Sequence, residues 1–315
     1  MVGFTEKLSR RKFVAGVTAF SSVPRIASAT TASLSIGDQN DSTRSLLEAS
    51  GQAANLPYKL EWHQFSQAQT VLQVQNAGAV EFSRAGDVAF LFACAAGAPL
   101  LAVGGSRSGG NAAAILVRGD SSIQDIRQLR GRSVALSRAG LGEPFLYGAL
   151  ERAGMQRTDV RVVNVQQHVA RMALATGEVD AWVTWHPYVA LGVIEDHARI
   201  LVTAKNILSF YVFDIVRRDT LASKIDIVTD FRKRISRALA WSRENPDRYA
   251  QIYSTTSHLP LKVARSTVDV TERQPIKISD GVITNVQNLY QKMRSLNLVS
   301  QNIDVHTVLS KNYPI

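Results

Sequence analysis

From Leu34 onward, short apolar runs of strand length alternate with longer stretches in which apolar positions recur every three to four residues. LSIG is followed by TRSLLEASG, KLEWHQF by AQTVLQVQNAG, and VEFSRAG by DVAFLFACAAG and then PLLAVGG. A period of two giving way to a period near 3.6 at this spacing predicts βαβ units, with a parallel sheet covered by helices on both faces. The polar, glycine-rich SRSGGN leads to AAAILVRG, and the alternation then resumes with SVALSRAG, EPFLYGALERAG, VRVVNV, VARMALATG and VDAWVTW.

Two consecutive runs predict two lobes. The last third differs: SFYVFDIVRR is strand-like, but Phe231, Ile235 and Leu239, then Val282, Val286, Leu289, Met293 and Leu296, keep helical spacing. Asn245 and Pro246 read as N-cap and first residue of a helix. With no sheet of its own, this tail is expected to return and cover the first lobe. The expected architecture is bilobal α/β: lobe 1 from 30–112 plus 205–315, lobe 2 from 113–204, each doubly wound, with two crossings acting as a hinge.

In open α/β sheets, ligands sit beyond the carboxyl ends of the strands. Ser83–Gly86 and Ser137–Gly140 both read SRAG and fall at such ends, one in each lobe. A repeated tetrapeptide is compatible with chance, so only the placement carries weight. A turn from strand into helix exposes backbone N–H groups that suit an anion.

With 315 residues, 45% of them hydrophobic and 20% charged, the chain can bury two cores. Its formal charge of +10 is partly local: Lys7, Arg10, Arg11, Lys12 and Arg25 face only Glu6 before residue 30. Residues 1–29 have the form of an export signal, with a basic start, the apolar stretch Val14–Val23, Pro24 and the small-residue site Ala27-Ser28-Ala29. SRRKFVAG resembles a twin-arginine signal, general secretion being the other route, and the mature chain would start at Thr30. No later stretch is apolar for long enough to span a membrane, so an exported, soluble, periplasmic protein is expected. Cys94 is the sole cysteine, which rules out an internal disulfide, and its apolar surroundings make it structural. No Lys/Arg stripe interleaved with aromatics points to nucleic acid.

Signatures of catalysis are missing. The six histidines, at 63, 168, 186, 197, 258 and 306, form no i,i+4 pair or Cys/His cluster, so no metal site is expected. There is no Walker A loop, G-x-G-x-x-G or G-x-S-x-G, and no cofactor is expected. Glu143 and His186 could serve as acid and base if the fold joined them; polar groups lining a cleft is the plainer reading.

The stretches IGDQN, ASGQAANLPYKLEWHQF, NAGAVEFSRAGDVAFLFACAAGAPL, AAILVRGDSSIQDIRQLRGRSVA, ALERAG and GEVDAWVTWHPYVAL resemble the solute-binding proteins of ABC transporters of the aliphatic sulfonate, taurine and nitrate type. The likeness runs from about 34 to 200. It implies a type II periplasmic-binding-protein fold that closes on a small anionic ligand by hinge motion, with a permease and an ATPase at the inner membrane as partners. It also implies a ligand site at Gln39, at Gly86 and Asp87, at the turn of Ala139, Gly140 and Leu141, and at Trp185. Asp87 repels anions and should be structural, while Gln39 could be a solvated loop amide and Trp185 a core aromatic.

The chain departs from this pattern in four places. Glu143 stands where relatives carry a histidine, and His186 where they carry an acid, which suggests an ion pair with its ends exchanged. Arg84 and Arg138 are added cations beside the two glycine turns; a guanidinium there can grip a sulfonate or carboxylate, or both side chains simply face solvent. The expected function is an extracytoplasmic solute-binding protein, monomeric and non-enzymatic, that captures a sulfonate-like organic anion for an ABC importer. Two alternatives stay open: an enzyme on the same fold, of desulfinase or pyrimidine-precursor synthase type, and a periplasmic ligand sensor.

Overall fold

A computed structural model describes residues 32–311 and 313; the expected export signal at 1–29 lies outside the described residues. The first sheet contains β1 (Ser33–Gln39), β2 (Lys59–Phe65), β3 (Phe82–Gly86), β4 (Leu100–Arg107), β10 (Tyr211–Arg217) and β11 (Gln274–Ile276), in the order β11-β4-β10-β3-β1-β2. The second contains β5 (Ala113–Val117), β6 (Ser133–Leu136), β7 (Arg161–Asn164), β8 (Ala181–Trp185) and β9 (Arg199–Thr203), in the order β7-β6-β8-β5-β9. Helices α1 (Ser42–Ala49), α2 (Ala68–Asn76) and α3 (Asp87–Ala95) connect strands of the first sheet; α4 (Gly142–Arg152), α5 (Gln167–Thr176) and α6 (Tyr188–Ile194) connect those of the second. The tail supplies α7 (Arg218–Ser223), α8 (Ile225–Glu244), α9 (Pro246–Thr256), α10 (Leu261–Val270), α11 (Asp280–Ser295) and α12 (Val305–Val308).

The bilobal α/β architecture is the expected one, but neither sheet is wholly parallel. β10 runs antiparallel to both β3 and β4, and β5 antiparallel to both β8 and β9. The cause is the route of the chain. β4 and β9 end at the cleft, so the strands that follow them across it, β5 and β10, enter the opposite sheet from the cleft side and run backwards. The tail therefore does more than cover the first lobe, since it places β10 in the middle of the first sheet.

Local sequence accounts for the pieces nearest the cleft. α3 is apolar on almost every face and is accordingly buried, from Val88 through Leu91 to Cys94 and Ala95. In α8, Phe231, Ile235 and Leu239 form the inward stripe, and Phe231 meets Phe82 of β3 edge to face at 5.0 Å between ring centroids. Pro246 opens α9 as expected, but Asn245 turns its side-chain amide back to the Trp241 carbonyl instead of capping the new helix. The two crossings lie side by side, with Ser108 N–H donating to the Phe210 carbonyl at 2.8 Å and Ala204 N–H to that of Ala113 at 3.0 Å. Among the described residues no helix is long and apolar enough to cross a membrane.

Candidate ligand-binding cleft

The carboxyl ends of β1, β3, β6 and β8 converge on a cavity of about 240 Å³. Of the residues singled out in the sequence, Gln39, Arg84, Gly86, Asp87, Gly140, Leu141, Trp185 and His186 line it. Gln39 ends β1 and points its amide toward the Ser66 carbonyl. Gly86 caps α3 with extended backbone, so that the α3 N-terminus opens on the cavity.

The acids here are internally engaged. Asp87 accepts from Val88 N–H at 2.9 Å, the Ser209 hydroxyl at 2.8 Å and Tyr211 N–H at 3.1 Å, tying α3 to the second crossing. Burial nonetheless holds its carboxyl above the usual range. Asp38, one residue before Gln39, takes the Thr43 and Arg44 amides at 2.9 Å each and so fills the α1 N-terminus with an acid of the chain itself.

Arg84 is held in place by its neighbours. Its Nε donates to Asp214 Oδ1 at 2.9 Å and its Nη2 to the Ser106 hydroxyl at 2.8 Å. Asp214 is also approached at 3.4 Å by Arg232, and acid and second arginine are each 1% exposed at the side chain. One carboxylate between two guanidinium groups leaves the cluster with an excess positive charge.

His186 lies at the end of β8, and its Nδ1 stands 3.3 Å from Thr267 Oγ1 on α10. The Thr267 hydroxyl itself donates to the Val263 carbonyl, so it can only accept from the ring. Nδ1 therefore carries the proton, and burial pulls the imidazole pKa down to about 4.

Three sequence candidates do not reach the cavity. Ala139 and Arg138 are exposed, the latter 60% at its side chain, and Glu143 folds back within the first turn of α4. Glu143 lies 3.6 Å from Arg138, and burial raises its pKa. The suggested Glu143–His186 ion pair is therefore not formed: each side chain is committed elsewhere, to Arg138 and to Thr267.

The lining also includes residues that sequence reasoning missed: Arg273, Tyr249, Tyr253, Phe210 and Tyr211. Tyr249 and Tyr253 are four apart on α9 and stack at 5.8 Å, a spacing visible in NPDRYAQIY. Arg273 follows α10 at a φ of 46° and gave no local signal. Its Nε donates to the Ser242 hydroxyl at 3.1 Å and its Nη1 to the Val268 carbonyl at 2.5 Å, with the guanidinium 5.4 Å from the Tyr249 ring centre. Burial lowers its pKa from the ordinary arginine value.

The lobes are clasped around this space. Ser137 Oγ donates to Gln67 Oε1 at 3.2 Å, Gln69 Nε2 to the Arg138 carbonyl at 3.0 Å, and Arg157 Nη1 to the Leu296 carbonyl at 3.0 Å. Lys292 and Glu151 pair across the same boundary.

Residues 59–249 match the family described as NMT1/THI5 like. A protein of Bacillus subtilis strain 168 named as an aliphatic sulfonates-binding protein is 30% identical over 81% of this chain and 77% of its own length. One of the same name from Escherichia coli K12 is 28% identical over 93% of each chain. Among solved structures, the alkanesulfonate-binding protein SsuA of Xanthomonas axonopodis pv. citri, bound to MOPS, superposes with a TM-score of 0.82 at 24% identity. It covers 89% of this chain and 98% of that one. At that identity the match shows the shared periplasmic-binding-protein fold.

Proposed function

The chain belongs to the NMT1/THI5-like family, and from that premise we propose that it is an extracytoplasmic solute-binding protein that captures a small organic anion, sulfonate-like in its acid group, for an ABC importer. The observation that carries this reading is the clasped cleft, where Arg84 and the α3 N-terminus on one side face Gly140, Leu141 and Trp185 on the other. Permease and ATPase in the inner membrane are the partners this role requires. The chain would act as a monomer, with lobes at 30–112 plus 205–315 and at 113–204 closing about the two crossings. Arg10-Arg11 and Ala27-Ser28-Ala29 supply the export signal.

The lining supports capture without chemistry. Cys94 is buried in α3 outside the cavity lining, and burial pushes its thiol up to about 12, far from a thiolate. His186 and Thr267 do not form a base and nucleophile, because the ring donates to a hydroxyl whose own proton is bound to a carbonyl.

The test is a thermal-shift panel on purified mature protein: ethanesulfonate, taurine, benzenesulfonate, sulfate esters, nitrate and aromatic carboxylates. A bound anion at 100 times its Kd stabilises by about 2.7 kcal/mol, which is readily measured. Unchanged melting with every anion would overturn the reading.

A further inference from the structure

The cavity walls are more specific than a generic anion site. Its aromatic lining comes from both lobes: Tyr249 and Tyr253 of α9, Phe210 and Tyr211 of the second crossing and β10, and Trp185 at the end of β8. Trp185 is further held edge-on by Tyr188, with ring centres 6.2 Å apart. Flat side chains grouped in this way offer large apolar contact to a planar ring, with a ring–ring preference beyond area alone.

Two cations enter the same space from different elements. Arg84 uses Nε and Nη2 on Asp214 and Ser106, and Arg273 uses Nε and Nη1 on Ser242, Val268 and Thr271. That leaves Nη1 of Arg84 and Nη2 of Arg273 without a hydrogen-bond partner among the described residues, and neither is a sealed orphan. The other charges balance in their favour. Asp214 is shared with Arg232, and Asp87, the single acid in the lining among the described residues, has both carboxylate oxygens occupied by Val88, Ser209 and Tyr211. No lining carboxylate is free to meet an ammonium group.

Resting on the solute-binding reading above, we infer that the cleft selects an aromatic organic anion without a charged amine, its sulfonate or carboxylate held between Arg84 and Arg273 and its ring against Trp185, Tyr249 and Tyr253. A zwitterion such as taurine would bring its ammonium into a lining that holds two guanidinium groups and no free carboxylate, a penalty that weakens it against ethanesulfonate.

The experiment is isothermal titration of the full mature chain with benzenesulfonate, benzoate, ethanesulfonate and taurine. Benzenesulfonate or benzoate should bind about tenfold or more tighter than ethanesulfonate, and taurine more weakly than ethanesulfonate. Arg84→Gln and Arg273→Gln should each weaken the aryl anion about tenfold or more, the loss expected of a charge-assisted hydrogen bond, while Arg127→Gln, at a surface arginine 71% exposed at its side chain and outside the lining, leaves it unchanged. Trp185→Leu should lower the benzenesulfonate-to-ethanesulfonate preference, a ratio that does not depend on the fraction of protein folded. Circular dichroism melts confirm folding of each variant. Tighter binding of ethanesulfonate than of both aryl anions, tight binding of taurine, or unchanged affinity in Arg273→Gln would overturn the aromatic-anion assignment while leaving capture of anions intact. Failure of all four ligands would overturn the aromatic-anion assignment, and failure of the whole thermal-shift panel would overturn the solute-binding reading as well.

Discussion

His186 shows how much a single side chain in the cleft depends on its surroundings. An ordinary imidazole titrates near 6.5, but burial lowers this one to about 4. The folded pKa is thus depressed below the unfolded one. Above pH 6.5 the ring is neutral in both states; as pH falls from there to about 4, the unfolded chain takes up a proton that the folded chain refuses, and stability drops. The full difference corresponds to at most about 3 kcal/mol, and the partial exposure of the residue brings the expectation to about 2 kcal/mol. Urea titrations at pH 7 and pH 4 should therefore show wild type losing about 2 kcal/mol more than His186→Asn. Equal losses would mean that the ring is solvated in the native state. The likeness to relatives marks His186 as unusual, standing in place of an acid, but it points to Glu143 as the partner, where the structure has Thr267. Glu143 is close in chain position to the other strand end, whereas Thr267 comes from a helix 81 residues further on, and residue types alone do not rank such long-range contacts.

Among the elements, the least obvious dependence is of the site on β4. Gly104 sits opposite Asp214 in the β10–β4 ladder, where the register shifts, and a Cβ there would stand inside contact distance of Arg232 Nη2. Arg232 of α8 is fully buried, and in a close-packed interior its guanidinium shifts only at a cost. Gly104→Ala should thus displace Arg232 from Asp214, destabilising the fold by about 2–4 kcal/mol and weakening anion binding through a misplaced Arg84. Chemical denaturation and titration of the same variant check both effects; wild-type stability and affinity together would show that the triad tolerates the methyl group. Strand and helix positions around this site were legible because burial is one-sided, as in the Phe231, Ile235 and Leu239 stripe. Strand direction was not. LLAVGG and YVFDIVRR carry apolar patterns that read the same in parallel and antiparallel pairing, and only the crossing route reverses β10. Arg273 is illegible in the sequence for a related reason: it belongs to a tail whose periodicity reveals helices but not which lobe face their connections reach.

Across the whole molecule, the proposed ligand capture rests on a balance between open and closed arrangements of the two lobes, and Gly140, itself part of the cavity lining, bears on that balance through Gln69. A Cβ added here would fall inside contact distance of the Gln69 amide, which reaches over from α2 to donate to the Arg138 carbonyl at 3.0 Å. Gly140 contributes to no core cluster, and a methyl group there meets only this side-chain end from the other lobe. Gln69 can rotate away, at the loss of one cross-cleft hydrogen bond, a net effect of about 1 kcal/mol. Because apparent affinity scales with the fraction of molecules able to close, Gly140→Ala should weaken anion binding about fivefold. The ligand-free melting temperature should stay at the wild-type value, since neither lobe loses packing. Small-angle X-ray scattering should then show a larger radius of gyration for the variant without ligand and convergence with wild type at saturating ligand. Equal affinity and equal scattering in both proteins would remove the Gln69–Arg138 contact from the closing mechanism. The remaining clasp would then rest on Ser137–Gln67, His186–Thr267 and the Arg157 and Lys292 contacts.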